Sequence, residues 1–147
     1  MTDNLGTHLL LRAPLWFIAA AFGGIAWNVF GAVQFAGSVT ATDADLVTAG
    51  LTPVQAAVMT SYPVWMTAAF AVGVLGGLVG SVLLLLRRRD ATPVLLVSLL
   101  AYVSLWIGDA VHGVFAVLGA PQVIILSLVV AIAAGLLALS RHPAAKT

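Results

Sequence analysis

Asp109 and His112 stand three residues apart in an otherwise apolar stretch, a spacing that places two side chains on one face of a helix. A carboxylate beside an imidazole is proton-handling chemistry. Inside a membrane a carboxylate is costly unless paired or hydrated, so Asp109 is read by default as a functional position. Other polar and aromatic residues fall at similar heights along their own helices. At 1.5 Å per residue, Asp109 lies about 28 Å and His112 about 33 Å from Asp90. Asn28 lies about 24 Å and Gln34 about 33 Å from Arg12, and Trp65 about 33 Å from Arg87. With Tyr62 and Trp106 these residues are expected to meet in the outer half of a helical bundle. Three outcomes stay open at this point. The group forms a buried structural network with Asp109 bonded to Asn28, His112 or a hydroxyl; it forms a small-molecule or proton site opening outward; or Asp109 and His112 reach the interface and are solvated. A polar floor with Trp and Tyr walls suits a sugar or another amphipathic ligand.

The elements that would carry these residues follow from composition. The chain has 147 residues, 62% of them hydrophobic and only 7% charged. Soluble domains carry roughly 25% charged residues, so the class is an integral membrane protein. Four apolar stretches each approach the roughly 20 residues a helix needs to cross a bilayer. They read as spans at 14–35, 63–86, 93–118 and 122–140, in one all-α membrane domain. Helix is required because backbone groups in hydrocarbon must bond within their own segment.

Charge sets the orientation. The basic residues are Arg12, the run Arg87, Arg88 and Arg89, then Arg141 and Lys146. With four crossings all of them fall on one side. The positive-inside rule predicts that both termini and the arginine turn are cytoplasmic. Arg87, Arg88 and Arg89 are expected to touch anionic lipid headgroups. Segment 36–62 is the only sizeable loop and is read as two short helices. One covers about 43–49, with Gly50 as its stop. The other runs to about Thr60 from a capping box at Thr52–Gln55, with Pro53 in its first turn. Residues 119–121 form the second outward turn.

Gly73, Gly76, Gly77 and Gly80 stripe the second span as two overlapping G-x-x-x-G pairs. Such stripes let helix backbones approach closely. They serve either packing inside the bundle or an interface between copies, and Gly24 and Gly31 of the first span offer a complementary groove. Tyr62 and Trp65 read as an outer aromatic belt, with Trp16 as its inner counterpart; Trp27 and Trp106 are expected to pack deeper. There is no Cys and no Glu, and no nucleophile–base pair, phosphate loop or metal-ligand spacing, so no enzyme activity, metal or nucleic-acid partner is expected. His112 has a further reading as a haem or chlorin ligand. Its histidine companions, His8 and His142, are expected on the opposite side of the membrane, which excludes a bis-His site in one copy, and no cofactor is expected.

From Trp27 to about Val114 the chain resembles a group of small bacterial inner-membrane proteins, some of them labelled sugar transporters. The matching strings are Trp27-Asn28-Val29-Phe30-Gly31, Leu51-Thr52-Pro53, Tyr62-Pro63-Val64-Trp65-Met66-Thr67-Ala68-Ala69-Phe70, Gly76-Gly77, Leu83–Arg88, Pro93 and Val97-Ser98-Leu99. The resemblance implies a four-helix inner-membrane protein. Two functions are weighed: a small structural or accessory subunit that associates with itself or with a larger membrane complex, and a small-solute or proton-coupled transporter or ligand-binding protein. A bundle of four helices is small for a transporter, so the second needs an oligomer. The rotation of the third span decides between them: an Asp109 facing an enclosed polar cavity favours the ligand, and one tied up by neighbours favours the subunit.

Overall fold

The computed structural model describes residues 13–146. Arg12 and His8, used above in the charge and histidine arguments, lie outside the described residues. In chain order the helices are α1 (Leu15–Thr40), α2 (Asp43–Thr48), α3 (Pro53–Thr60), α4 (Val64–Leu85), α5 (Ala91–Val111), α6 (Val114–Leu118) and α7 (Ala120–Arg141), followed by a 3-10 turn at Pro143–Ala145. Four of them, α1, α4, α5 and α7, are long and apolar enough to cross a membrane. Much of their surface is apolar and uncovered: Phe22 and Phe30 of α1, Leu75 of α4, Leu100 of α5 and Ile124 of α7 are all exposed. Soluble monomers rarely expose contiguous apolar patches larger than a few hundred Å², whereas lipid accepts such faces readily.

The four long helices pack in an open row. α4 lies closest to α5, α1 lies on α4, and α7 lies on α5, while α1 and α7 barely touch. Glycines set the close approaches. An added β-carbon would meet the Tyr102 ring from Gly73, Ser98 from Gly76 and Leu95 from Gly80, all residues of α5. From Gly77 it would meet the Asn28 side chain of α1. The whole stripe therefore serves packing within one chain. At Gly73 the bare backbone also lets the Ser98 hydroxyl donate to the Gly73 carbonyl at 2.6 Å. Such interhelical bonds are worth about 0.6 kcal/mol in membranes.

Two boundaries differ from the sequence reading. α1 continues five residues past Phe35 to Thr40, into what was read as loop. α5 stops at Val111 instead of running on to Leu118. The reason is Gly113, whose φ of +75° ends the helix in the left-handed region that glycine enters without a side-chain clash. The chain then makes the separate short helix α6 before α7 begins.

The loop helices carry matching caps. The Gln55 backbone N–H donates to the Thr52 hydroxyl at 3.2 Å, and the Thr52 N–H donates to Gln55 Oε1 at 3.1 Å. Thr42 and Asp45 make the same reciprocal pair for α2, a cap the sequence reading did not name. Gln55 also donates from Nε2 to the Val117 carbonyl, tying α3 to α6. We call this side of the bundle the loop end and the opposite side the arginine end.

At the arginine end, Arg87 takes the left-handed backbone, φ +55°, just beyond α4. Its N–H bonds the Leu84 carbonyl and the Arg88 N–H bonds the Leu83 carbonyl, both at 2.9 Å, the paired closure that usually calls for glycine. A β-carbon in that conformation costs about 1–2 kcal/mol. The side chain offers an offset. Its Nε–H donates to the Ala144 carbonyl at 3.1 Å and its Nη2 to the Lys146 carbonyl at 2.7 Å. This grip helps hold Ala145 buried in a cluster with Phe17, Ala21, Leu84, Ala91 and Leu95. Arg87, expected at lipid headgroups, thus also has partners within its own chain, the carbonyls of Ala144 and Lys146 beyond α7. Arg88 and Arg89 remain exposed, with Arg88 Nη2 3.8 Å from Asp90.

Candidate functional site

At the loop end α5 carries Asp109 into complete burial, 0% exposed. Each carboxylate oxygen has its own donor. The Tyr62 hydroxyl, from the segment between α3 and α4, donates to Oδ1 at 2.9 Å. The Gln122 amide Nε2, from the first turn of α7, donates to Oδ2 at 2.9 Å. One side chain thus clasps three parts of the fold. Met66, Leu105, Val114 and Leu126 form the apolar cluster around it, and Tyr62 and Trp106 pack on that cluster. Burial, the adjacent Asp109 carboxylate and the hydrogen bond to it hold the Tyr62 hydroxyl above the usual tyrosine range. Tyr62 therefore stays a neutral donor near pH 7. On α2, backbone and side-chain hydrogen bonds from Thr42 hold Asp45 below the usual carboxylate range.

The expected cluster only partly forms. Tyr62 and Asp109 meet, and Trp65 and His112 stand beside each other nearby, with ring centroids 6.0 Å apart. His112 is exposed and does not bond Asp109, so the Asp109–His112 pair is not realised. Trp106 turns to α7, where its indole N–H donates to the Ser127 hydroxyl at 3.0 Å and its ring meets Phe115 edge-on. Gln34 is exposed on α1 and joins nothing in the group. Asn28 lies elsewhere altogether. It is 2% exposed, pressed against Gly77, with its amide Nδ2 donating to the Gly24 carbonyl at 2.8 Å.

The misplacement of Asn28 has a simple cause. Heights on the first span were measured from Arg12, but Phe17 is the residue that clusters with Leu84 and Ala91. Measured from that level, Asn28 rises about 16 Å and Asp109 about 27 Å, so they differ by roughly two helical turns. Gln122 was missed for a related reason. A third span continuous to Leu118 puts Asp109 well below the last turn, whereas the break at Gly113 brings the start of α7 level with it. The signal was present in the sequence as His112-Gly113.

The second polar region lies at the level of Asn28. A small cavity of about 10 Å³ is lined there by Asn28, Ser98 and Tyr102 together with Trp27, Ile132 and Leu136. Ser81, one turn along α4 from Gly77, has a fully buried hydroxyl without a hydrogen-bond partner. Among the described residues no group of His, Asp or Glu side chains is arranged to hold a metal ion. No family model, no curated protein and no solved structure matches this chain.

Proposed function

We propose that the chain is a small accessory protein of a bacterial cytoplasmic membrane, which associates with copies of itself or with a larger membrane complex. One observation carries this reading. Asp109, the one carboxylate within the spans, is wholly buried and has both oxygens bonded by neutral donors of its own chain. A residue held in that way stabilises the bundle and offers nothing to a solute. The remaining chemistry is sparse, and among the described residues the parts outside the spans are three short helices, a 3-10 turn and short connecting segments.

The orientation belongs to the same proposal. Arg87, Arg88, Arg89, Arg141 and Lys146 share one end of the bundle, and Asp43 and Asp45 share the other, so the positive-inside rule puts the arginine end in the cytoplasm. The likeness to small inner-membrane proteins points the same way. No catalytic role and no resident cofactor are part of the reading.

A small-solute transporter or ligand-binding protein, for a sugar or a proton-coupled solute, is the second reading. It has one observation in its favour: Trp65 and His112 stand exposed beside each other at the end of the helix that carries Asp109. The two readings separate in one experiment. The protein is extracted from its host in mild detergent and weighed by native mass spectrometry. A defined set of co-purifying membrane proteins supports the accessory role. A lone oligomer whose uptake of a solute in proteoliposomes is abolished by Asp109→Asn would overturn it.

A further inference from the structure

Where α1 and α7 fail to close on each other, they leave an apolar groove of about 450 Å³. Gly23, Gly24 and Trp27 line one wall, and Ile132, Gly135 and Leu136 the other. A side chain added at Gly23 or Gly135 would meet nothing within 4 Å. In a bilayer this side faces the acyl chains. The groove also leads somewhere. Trp27, Ile132 and Leu136 border both the groove and the small cavity that holds Asn28, Ser98 and Tyr102.

The polar groups at that junction are buried and incompletely satisfied. Ser81 is 0% exposed, its hydroxyl has no partner, and it lies against the backbone of Gly24, a groove residue. Tyr102 is 4% exposed, lines the cavity, and its hydroxyl bonds no described residue. Buried hydroxyls without partners are rare, because each forfeits the bonds it would make to water. Ser81 is such a hydroxyl, set against the groove residue Gly24, and Tyr102 faces the adjoining small cavity with no bond of its own, so the junction has room and hydrogen-bonding capacity for one oxygen atom delivered from the membrane side.

We propose that the groove and the cavity behind it bind one lipophile, which carries a long apolar tail and a single small neutral head, a hydroxyl or a carbonyl oxygen. The tail lies between α1 and α7, and the head meets Tyr102, Ser81 and Asn28. The dimensions set the class. A cavity of about 10 Å³ has room for roughly one water-sized group, so it takes one oxygen and rejects a sugar or a phosphate. The polar lining carries no formal charge, so a charged head would be left unpaired in low dielectric. This inference stands apart from the accessory reading, since an accessory subunit or a transporter could each carry such a ligand.

The test places the full chain in phosphatidylcholine nanodiscs with a hexadecanol bearing a mid-chain diazirine, and in parallel with the matching alkane. After irradiation the labelled residues are mapped by mass spectrometry. The alcohol should label Trp27, Ile132 and their neighbours about ten-fold more than the alkane does. Gly135→Leu starts its side chain in open space, with nothing within 4 Å of the added β-carbon, and should remove most of the label. Tyr102→Phe should cut the preference for the alcohol about five-fold, as loss of one hydrogen bond to a buried head requires, and leave alkane labelling unchanged. If Tyr102→Phe does not fold, Ser81→Ala makes the same test. Equal labelling by the two probes would mean ordinary lipid chains fill the groove and would overturn the proposal. So would a homodimer in native mass spectrometry that Gly135→Leu dissociates, since a second copy would then be the occupant.

Discussion

The two polar regions of this bundle solve one problem in opposite ways. At the loop end a carboxylate is buried completely, and both its oxygens are met by donors from the same chain. At the level of Asn28 the polar groups are weaker, yet Ser81 has no partner and the surrounding helices leave a groove open on one side. The more expensive group is fully paired, and a cheaper one, the Ser81 hydroxyl, is buried without a partner. Burying a lone charge in low dielectric is far costlier than burying a lone hydroxyl, so the fold tolerates an open hydroxyl where it cannot tolerate an open carboxylate. On the accessory reading proposed above, this difference makes the acidic residue part of the scaffold.

The largest expected effect breaks the Asn28 region. Gly77→Leu drives a side chain into Asn28, which has no space to leave, and should destabilise the protein by about 3 kcal/mol in reversible detergent unfolding. Gly23→Leu adds the same side chain to open space and should change little, which sharpens the contrast between a crowded and an open face of one region.

The next effect breaks the loop end. Asp109→Leu leaves the Tyr62 hydroxyl and the Gln122 amide without their acceptor, at a cost of about 2 kcal/mol in the same assay. Asp109→Asn should cost less, because its carbonyl still accepts from Tyr62 and a flipped Gln122 amide can accept from the new N–H.

Tyr62→Phe removes one of the two bonds to Asp109 and should cost about 1 kcal/mol. It also carries a pH signature. The folded-state value of Tyr62 is raised, so the stability it contributes is fully present below the unfolded tyrosine value of about 10 and is lost as pH rises through the higher folded value. Unfolding followed from pH 8 to 11 should show wild-type stability falling at the alkaline end, and Tyr62→Phe should lack that part of the fall.

The smallest effect lies on α2. Asp45 is depressed by its bonds from Thr42, so its contribution is present above the unfolded carboxylate value of about 3.9 and is lost as pH falls through the lower folded value. Amide exchange at Asp45 and Leu46 should accelerate in that acid window while Asp109-linked segments stay protected, which separates a solvated carboxylate from the buried one.

Much of the fold was legible because it is dictated by gross quantities. Four apolar stretches, caps at Thr52 and Gln55, and the arginine turn follow from hydrophobicity, hydrogen-bonding chemistry and charge. The site was legible in kind but not in partners. Asp109 and Tyr62 stood out as a carboxylate in a span and an aromatic at its edge, yet Gln122 did not, because its meeting with Asp109 depends on one left-handed glycine at 113. Asn28 was placed by a ruler that began at the wrong residue, whereas Gln34 is level with Asp109 on either ruler and is left out because its side chain is exposed. Helix rotation and register are set by which glycine meets which side chain, as at Gly77 and Asn28, and no periodicity in an almost uniformly apolar sequence encodes that choice.

The extra length of α1 has a consequence for how the bundle sits in its solvent. α4, α5 and α7 have 22, 21 and 22 residues, about 32 Å each, close to the hydrocarbon thickness of a typical bilayer. α1 has 26 residues, about 39 Å. A helix too long for its bilayer ordinarily tilts to hide the mismatch. α1 cannot do so independently of α4, because Gly24, Asn28 and Gly31 pack its middle against that helix. Its final turns become polar, with the Ser38 and Thr40 hydroxyls bonded back to their own helix at 2.8 Å. Relative to its three neighbours α1 carries a surplus of about 6 Å, and because the helices start level at the arginine end that surplus falls at the loop end.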